Sequence, residues 1–340
     1  MDYSEKRLTQ NRKLIIMGIF GRSKRSAAST LAERRLWTPP PGLVTEPMKL
    51  VRSVPFVFDS VNFAPAFTKI DIFRKESKHD ELVALFDLVR EMLVGLDLPG
   101  LRAEIIVILD DSGSMSKEYR ERIVHQLLLR ILAFGLNLDK NGIPVIKYND
   151  PAHPIWLNAD NYLNAPNLIG HCGGGTPMTE AYDVAVKMAD GHDKLTIIIN
   201  ITDGAPNVWT TMSNSVMRSA GKPIFNKKVA VKQDAMGYLK ELDDLPSRFE
   251  IETIEDPVTG EKVPVKDAND NFVIIENPLN NGIRLIDNVD TQFIDPFSAT
   301  PEDFIGAMLE ELDTYLQLAA TVGTLTGMEA LGFYRNPAFV

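Results

Sequence analysis

The sequence predicts an α/β protein built on a doubly wound, mostly parallel sheet with helices on both faces, plus an inserted β-hairpin and terminal extensions. Three observations lead there. Two stretches, "AEIIVIL" at 103–109 and "LTIIINIT" at 195–202, are apolar at successive positions, the mark of strands buried on both faces of a parallel sheet. Segments of helical periodicity alternate with these strands. Both strands end in short runs of aspartate, hydroxyl and glycine residues, and open α/β sheets bind ligands at the carboxyl ends of their strands.

In chain order, residues 1–47 form a basic arm or linker. Residues 1–50 hold ten Lys/Arg against four Asp/Glu, a local charge of +6, so the rest of the chain carries −16 of the net −10. "TPPPG" at 38–42 cannot be helical and closes the arm. Residues 48–100 form a strand–helix extension: "KLVRSVPFVF" is extended, with Pro55 placing it at an edge. Leu82, Leu85, Phe86, Val89, Leu93 and Leu96 give residues 80–96 one apolar helical face, stopped by "LPG".

Residues 101–315 form the main domain. After the 103–109 strand, a single long helix is expected over 117–138, with Ile123, Leu127, Ile131 and Phe134 on its inner side. A strand at 143–148 follows, then a helix at 179–189 opened by a Thr179 cap. The 195–202 strand, a helix at 231–242 and a strand at 248–255 complete the alternation. Residues 256–282 are rich in turn formers and read as an inserted hairpin or two. Residues 316–340 form an apolar tail whose charged side chains are Glu329 and Arg335, and core packing is the better reading of it.

The composition narrows the function. A net charge of −10 argues against general nucleic-acid or anionic-membrane binding, although a basic arm on an acidic body could touch an acidic partner. Cys172 is the single cysteine, so no internal disulfide can form and a cytoplasmic location is expected. The apolar run at 14–21 is short for a signal peptide and leads into "RSKR", and no run approaches bilayer-spanning length. Met17 is an alternative start to Met1.

The chemistry lies in three motifs. "DDSGSM" at 110–115 presents Asp110, Ser112 and Ser114 at alternate positions of a loop that Gly113 lets bend. "GGGTPMT" at 173–179 offers Thr176 after a glycine loop, and "TDG" at 202–204 offers Asp203. Asp110, Ser112, Ser114, Thr176 and Asp203 are all hard oxygen ligands, suited to Mg²⁺, with Mn²⁺ or Ca²⁺ as alternatives, and unsuited to zinc. Two carboxylates leave a divalent cation under-coordinated, with room for water or an acidic group from a partner. Each motif also has a plainer reading. "DDSGSM" could be a capped turn, Thr176-Pro177 a helix start and Asp203-Gly204 a simple turn. Asp111 is read as a supporting or solvent-facing residue.

The order D-x-S-x-S, then Thr after a glycine loop, then T-D-G after an apolar strand, resembles the von Willebrand factor A (vWA) domain from about residue 101 to 315. All five positions of that family's metal-ion-dependent adhesion site are filled. "LLLRILAFGLNLDKNGIPVIKYN" and "NGIRLIDNVDTQFID" with "TPEDFIGAMLEELDTYL" resemble bacterial and phage vWA proteins associated with tellurium resistance; the 256–282 insertion departs from their plan. The resemblance implies a Rossmann-like sheet with a Mg²⁺-type site at its top. There the serines and Thr176 bind the metal, Asp110 and Asp203 act largely through water, and a protein partner's carboxylate takes the open position.

The expected function is therefore a metal-dependent protein–protein interaction or adaptor module rather than an enzyme, its partner supplying an Asp or Glu. The alternatives are a structural or assembly component of a multi-subunit particle, with incidental metal, and a metal-dependent hydrolase. Enzyme motifs fare poorly. A haloacid-dehalogenase-type phosphatase needs a carboxylate where Ser112 stands, and "GGGTPM" lacks the P-loop lysine. His171 and Cys172 are adjacent, so on an extended chain they point apart and make a poor nucleophile–base pair. Oligomeric state is not legible.

Overall fold

A computed structural model describes residues 43, 49–57, 64–96, 98, 100–256, 260, 262–267, 272–276, 284–295 and 297–326. The basic arm apart from Leu43, the last fourteen residues of the apolar tail and parts of the 256–282 insertion lie outside that set.

Thirteen strands are described: β1 (Val54–Pro55), β2 (Ala103–Leu109), β3 (Ile143–Lys147), β4 (Asp150–Leu157), β5 (Leu195–Thr202), β6 (Ile224–Ala230), β7 (Ser247–Ile251), β8 (Thr253–Glu255), β9 (Lys262–Pro264), β10 (Ile274–Glu276), β11 (Arg284–Ile286), β12 (Val289–Phe293) and β13 (Leu325–Thr326). Six of them make the central sheet in the order β12-β6-β5-β2-β3-β4, parallel throughout except for the antiparallel edge strand β4. This is the expected mostly parallel α/β sheet, with helices on both faces.

Period-2 alternation explains why β2 and β5 carry apolar residues at successive positions. Ile105, Val107, Leu109, Ile197, Ile199 and Ile201 enter one apolar cluster, whereas Ile106, Ile108 and Ile198 enter another on the opposite face. Helices α1 (Ala64–Phe73), α2 (Asp80–Gly95), α3 (Ser116–Arg120), α4 (Ile123–Leu138), α5 (Ala165–Ile169), α9 (Pro301–Leu309) and α10 (Leu312–Val322) contribute to the first cluster. Helices α6 (Met178–Ala189) and α7 (Trp209–Ser219) cover the second.

Several elements differ from expectation. The single helix at 117–138 is two, α3 (Ser116–Arg120) and α4, separated by Arg122 in the left-handed region at φ 61°. No Thr179 cap forms: α6 starts at Met178, after Pro177, and Thr179 is already inside its first turn. The helix expected at 231–242 is a 3-10 turn (Gln233–Ala235) followed by α8 (Met236–Asp243). The chain at 231–232 instead leaves β6 as a loop, with Val231 N–H donating to Thr202 O at 2.9 Å.

The antiparallel hairpin β8–β9 pairs the end of the expected 248–255 strand with the insertion, and β10, within the insertion, pairs antiparallel with β7. At the C-terminal side, α10 runs through the boundary set at residue 315, with Leu316, Leu318 and Ala319 buried. The chain then pairs β13 in parallel with β1, Val54 opposite Leu325. A parallel pairing between residues this far apart in sequence closes the strand–helix extension onto the main body. Asn137 Nδ2 donates to Phe86 O at 3.0 Å, a side-chain tie between α4 and α2. Among the described residues, no helix is long and apolar enough to cross a membrane.

Candidate metal centre

Two of the three sequence motifs leave the sheet at the same end, and the glycine loop, which lies between the helices Ala165–Ile169 and Met178–Ala189, meets them there. β2 and β5 are neighbours in parallel register, Leu109 opposite Ile201, so the residues after each emerge side by side. Asp110 N–H still donates to Ile201 O at 2.9 Å, which holds the two exits together. Beyond that point the loops turn and their side chains converge.

Asp110 is fully buried. Its Oδ1 accepts from Ser112 N–H at 2.9 Å and its Oδ2 from the Thr202 hydroxyl at 2.6 Å. Burial raises its carboxyl above the ordinary range, and the nearby Asp203 charge adds to that rise, against the hydrogen bonds from Ser112 and Thr202 that favour the anion. Ser112 Oγ and Ser114 Oγ are 2.9 Å apart, and Ser114 Oγ donates to Asp203 Oδ1 at 2.8 Å. Four of the five expected residues thus share one hydrogen-bonded network.

Thr176 is placed differently. The bonds that locate it are those of its carbonyl, which accepts from Asn207 N–H at 3.2 Å and Met178 N–H at 2.8 Å. The first of these ties the glycine loop to the loop that follows Asp203. Gly113 N–H donates to Gly174 O at 3.4 Å and Gly173 N–H to Asp111 O at 2.6 Å, so the glycine loop is also fastened to the first motif. The structure brings the Thr176 backbone to the cluster; its hydroxyl takes no part in the network just described.

Asp111 is buried, which excludes a solvent-facing role. Its Oδ1 accepts from Asn149 N–H at 2.9 Å and Asn149 Nδ2 at 2.8 Å, and its Oδ2 lies 3.4 Å from Lys147 Nζ. Asn149 Nδ2 also donates to Gly175 O at 3.1 Å. Asp111 therefore braces the first motif against the end of β3 and the glycine loop. Gly174 adopts φ +96°, and a Cβ there would lie 2.5 Å from Asn149 Oδ1. Gly174→Ala is expected to cost about 1–3 kcal/mol, because the strain is local and Asn149 is held on three sides. Gly173→Ala, where no atom stands within 4 Å of the added Cβ, is the matched control. Chemical denaturation of the two variants compares them, and equal stabilities would contradict the account.

Two residues of the site escaped the sequence reading. Lys232 Nζ donates to Asp203 Oδ2 at 2.5 Å and to Ser114 O at 2.8 Å, and lies 3.7 Å from Glu118 Oε1. Burial lowers the ammonium's pKa, but the Asp203 bond and the charges of Asp203 and Glu118 outweigh it, and the net shift is upward. Glu118 is a third carboxylate beside the site, buried on α3. Lys232 was hidden inside an expected helix. The available signal was its position two residues past the end of a strand, where sites of this fold collect their side chains.

Cys172 Sγ lies 3.6 Å from Ser116 Oγ, beside the first motif. Elsewhere, His79 Nδ1 and Tyr162 OH are hydrogen-bonded at 2.7 Å, within the packing of the extension.

The donor set fits a hard divalent cation. Ser112 Oγ, Ser114 Oγ and Asp203 Oδ1 are linked oxygens from two separate loops, with a second carboxylate, Asp110, directly behind them. No group of three or more His, Cys, Asp or Glu among the described residues is arranged as a metal cluster.

The sheet order and the loops gathered at its carboxyl edge define an open, mostly parallel α/β domain with a candidate site at its top. Residues 102–252 match the model of the vWA-TerF-like family, described as the vWA found in the TerF C terminus. No curated protein shows a significant sequence match to the chain. Among solved structures, the chain is similar to the manganese-loaded TRAP protein of Plasmodium vivax (TM-score 0.33, 12% identity), covering 43% of this chain and 63% of that one. It is also similar to the TFIIH p34 N-terminal domain (TM-score 0.31, 12% identity; 41% of this chain, 85% of that one). A third is the pilus adhesin SpaC of Lactobacillus rhamnosus GG in its open conformation (TM-score 0.36, 12% identity; 64% of this chain, 30% of that one). The chain thus spans less than two thirds of the TRAP and SpaC chains.

Proposed function

We propose that this chain is a non-enzymatic, metal-dependent interaction module. Its centre at Asp110, Ser112, Ser114, Thr176 and Asp203 takes Mg²⁺ or a similar hard cation and binds an acidic side chain of a protein partner through it. The observation that carries this reading is the convergence of Ser112, Ser114 and Asp203 in one oxygen network in front of buried Asp110.

Such a set supplies two carboxylates, which offset the charge of a bound divalent cation but leave its shell incomplete, and an Asp or Glu from outside takes the open position. Nothing in this chemistry requires a general base. Cytoplasmic residence, argued from the single cysteine, belongs to the same proposal.

The test is retention of native partners from lysate by the full chain with Mg²⁺, with EDTA and with Asp110→Ala. Chelation and the substitution are both expected to cut retention by about tenfold or more, since loss of one charge-assisted contact costs about 1.5–3 kcal/mol. Identical partners at equal yield in all three samples would overturn metal dependence and favour an assembly role carried by other surfaces.

A further inference from the structure

The site already holds a cation of the chain's own. Lys232 enters from the loop after β6, whose backbone is fastened beside the site by the Val231 N–H to Thr202 O bond. Its ammonium meets an oxygen from each of three segments: Ser114 O, Asp203 Oδ2 and Glu118 Oε1 at 2.8, 2.5 and 3.7 Å. Glu118 Oε2 is buried and has no hydrogen-bond partner among the described residues. Lys232 is the cation within ion-pair distance of Glu118 among the described residues.

We propose that Lys232 is a tethered competitor for the candidate metal centre, so that binding a divalent cation requires its ammonium to leave Asp203. The inference rests on the metal-dependent reading above. Asp203 has two oxygens: Oδ1 accepts from the Ser114 hydroxyl and Oδ2 from Lys232. A divalent cation bound among Ser112, Ser114 and Asp203 must therefore share one carboxylate with an ammonium. Two like charges on one carboxylate repel strongly where burial reduces screening.

Exchange is physically accessible. The Lys232 side chain is 39% exposed and has four flexible carbons, so it can swing into solvent, whereas the Asp203 and Glu118 side chains, each 2% exposed, cannot follow. When the lysine leaves, two buried carboxylates face the centre without a counter-charge, and a divalent cation replaces what was lost. The lysine thus keeps the carboxylates neutralised when metal is scarce and lowers the apparent metal affinity.

Manganese titration of the full chain by calorimetry tests this. Lys232→Met is expected to tighten Mn²⁺ binding by about tenfold or more, within the usual range of coupling between linked ligands. Because Lys232→Met strands Glu118, the charge-matched variant Glu118→Gln/Lys232→Met is measured beside it, and is expected to bind Mn²⁺ more tightly than wild type as well. Circular dichroism confirms that both are folded. If wild type binds Mn²⁺, Asp110→Ala abolishes it and both lysine variants bind with wild-type or weaker affinity, the competition is overturned and the metal-dependent reading stands. If no folded variant binds Mn²⁺, the metal-dependent reading fails and this inference with it.

Discussion

Asp290→Ala is expected to destabilise the protein by about 3–5 kcal/mol, the cost of leaving a buried charge without its partner. Lys227 on β6 and Asp290 on β12 form an ion pair across the parallel β12–β6 register, where Asp290 stands directly opposite Lys227. Both side chains are essentially excluded from solvent, at 0% and 2% exposure. Gln292 Nε2 donates to the other Asp290 oxygen at 3.1 Å. Removing the carboxylate strands an ammonium in the sheet, where water cannot reach it without opening the edge. Lys227→Met/Asp290→Leu removes both charges and is expected to recover most of the loss. Urea denaturation of the single and double variants reads both quantities, and a loss below about 1 kcal/mol in Asp290→Ala would contradict the assignment.

Lys228, the next residue, is expected to behave in the opposite sense. Its side chain points to the other face of β6, where Nζ has no hydrogen-bond partner among the described residues and stands 4.6 Å from the centre of the Tyr182 ring. Burial alone lowers its pKa from 10.5 to about 7. Asn200, opposite Lys228 in the β5–β6 register, likewise has an unpartnered Nδ2. Between pH 7 and 10.5 the unfolded chain carries a proton at Lys228 that the folded chain does not. Stability therefore rises with pH across that window, by up to about 1.4 kcal/mol per unit from this group, and is level below it. Lys228→Met removes the penalty and is expected to stabilise the fold by about 1–4 kcal/mol near neutral pH, while flattening its pH dependence from 7 to 10. Urea denaturation at several pH values tests both. A Met variant less stable than wild type, with an unchanged slope, would show that the amine has a partner after all.

These two lysines also explain why part of the fold was hidden. β6 is buried along its whole length, yet its centre reads Asn226-Lys227-Lys228, a polar run that no hydrophobic pattern marks as a core strand. β4 was hidden for another reason: Pro151 and Pro154 argue against a strand, and it is tolerated because it lies at the sheet edge. Helix α7 was hidden by its serines and threonines, whose buried members find backbone or side-chain partners, as Ser213 does with Trp209 O at 2.9 Å.

The candidate site was legible to a different degree. Alternation of apolar strands with short hydroxyl–carboxylate motifs was enough to name Asp110, Ser112, Ser114, Thr176 and Asp203. Four of these join one network, and Thr176 stands beside it by its backbone. Thr202, which holds Asp110 Oδ2, was already inside the quoted "TDG".

Sequence by itself determined the α/β class, the apolar strands β2 and β5 and the oxygen-rich loops that follow them. Each depends on local periodicity and on residue chemistry within a few positions, so each is written in a short stretch. Only the tertiary structure decided that Lys227 has a counter-charge while Lys228 has none among the described residues, that β13 closes on β1, and that Lys232 and Glu118 meet beside Asp203. The physical reason is one of range. A charge's state is set by the groups within a few ångströms of it, and those come from segments 29 to 118 residues apart in the chain.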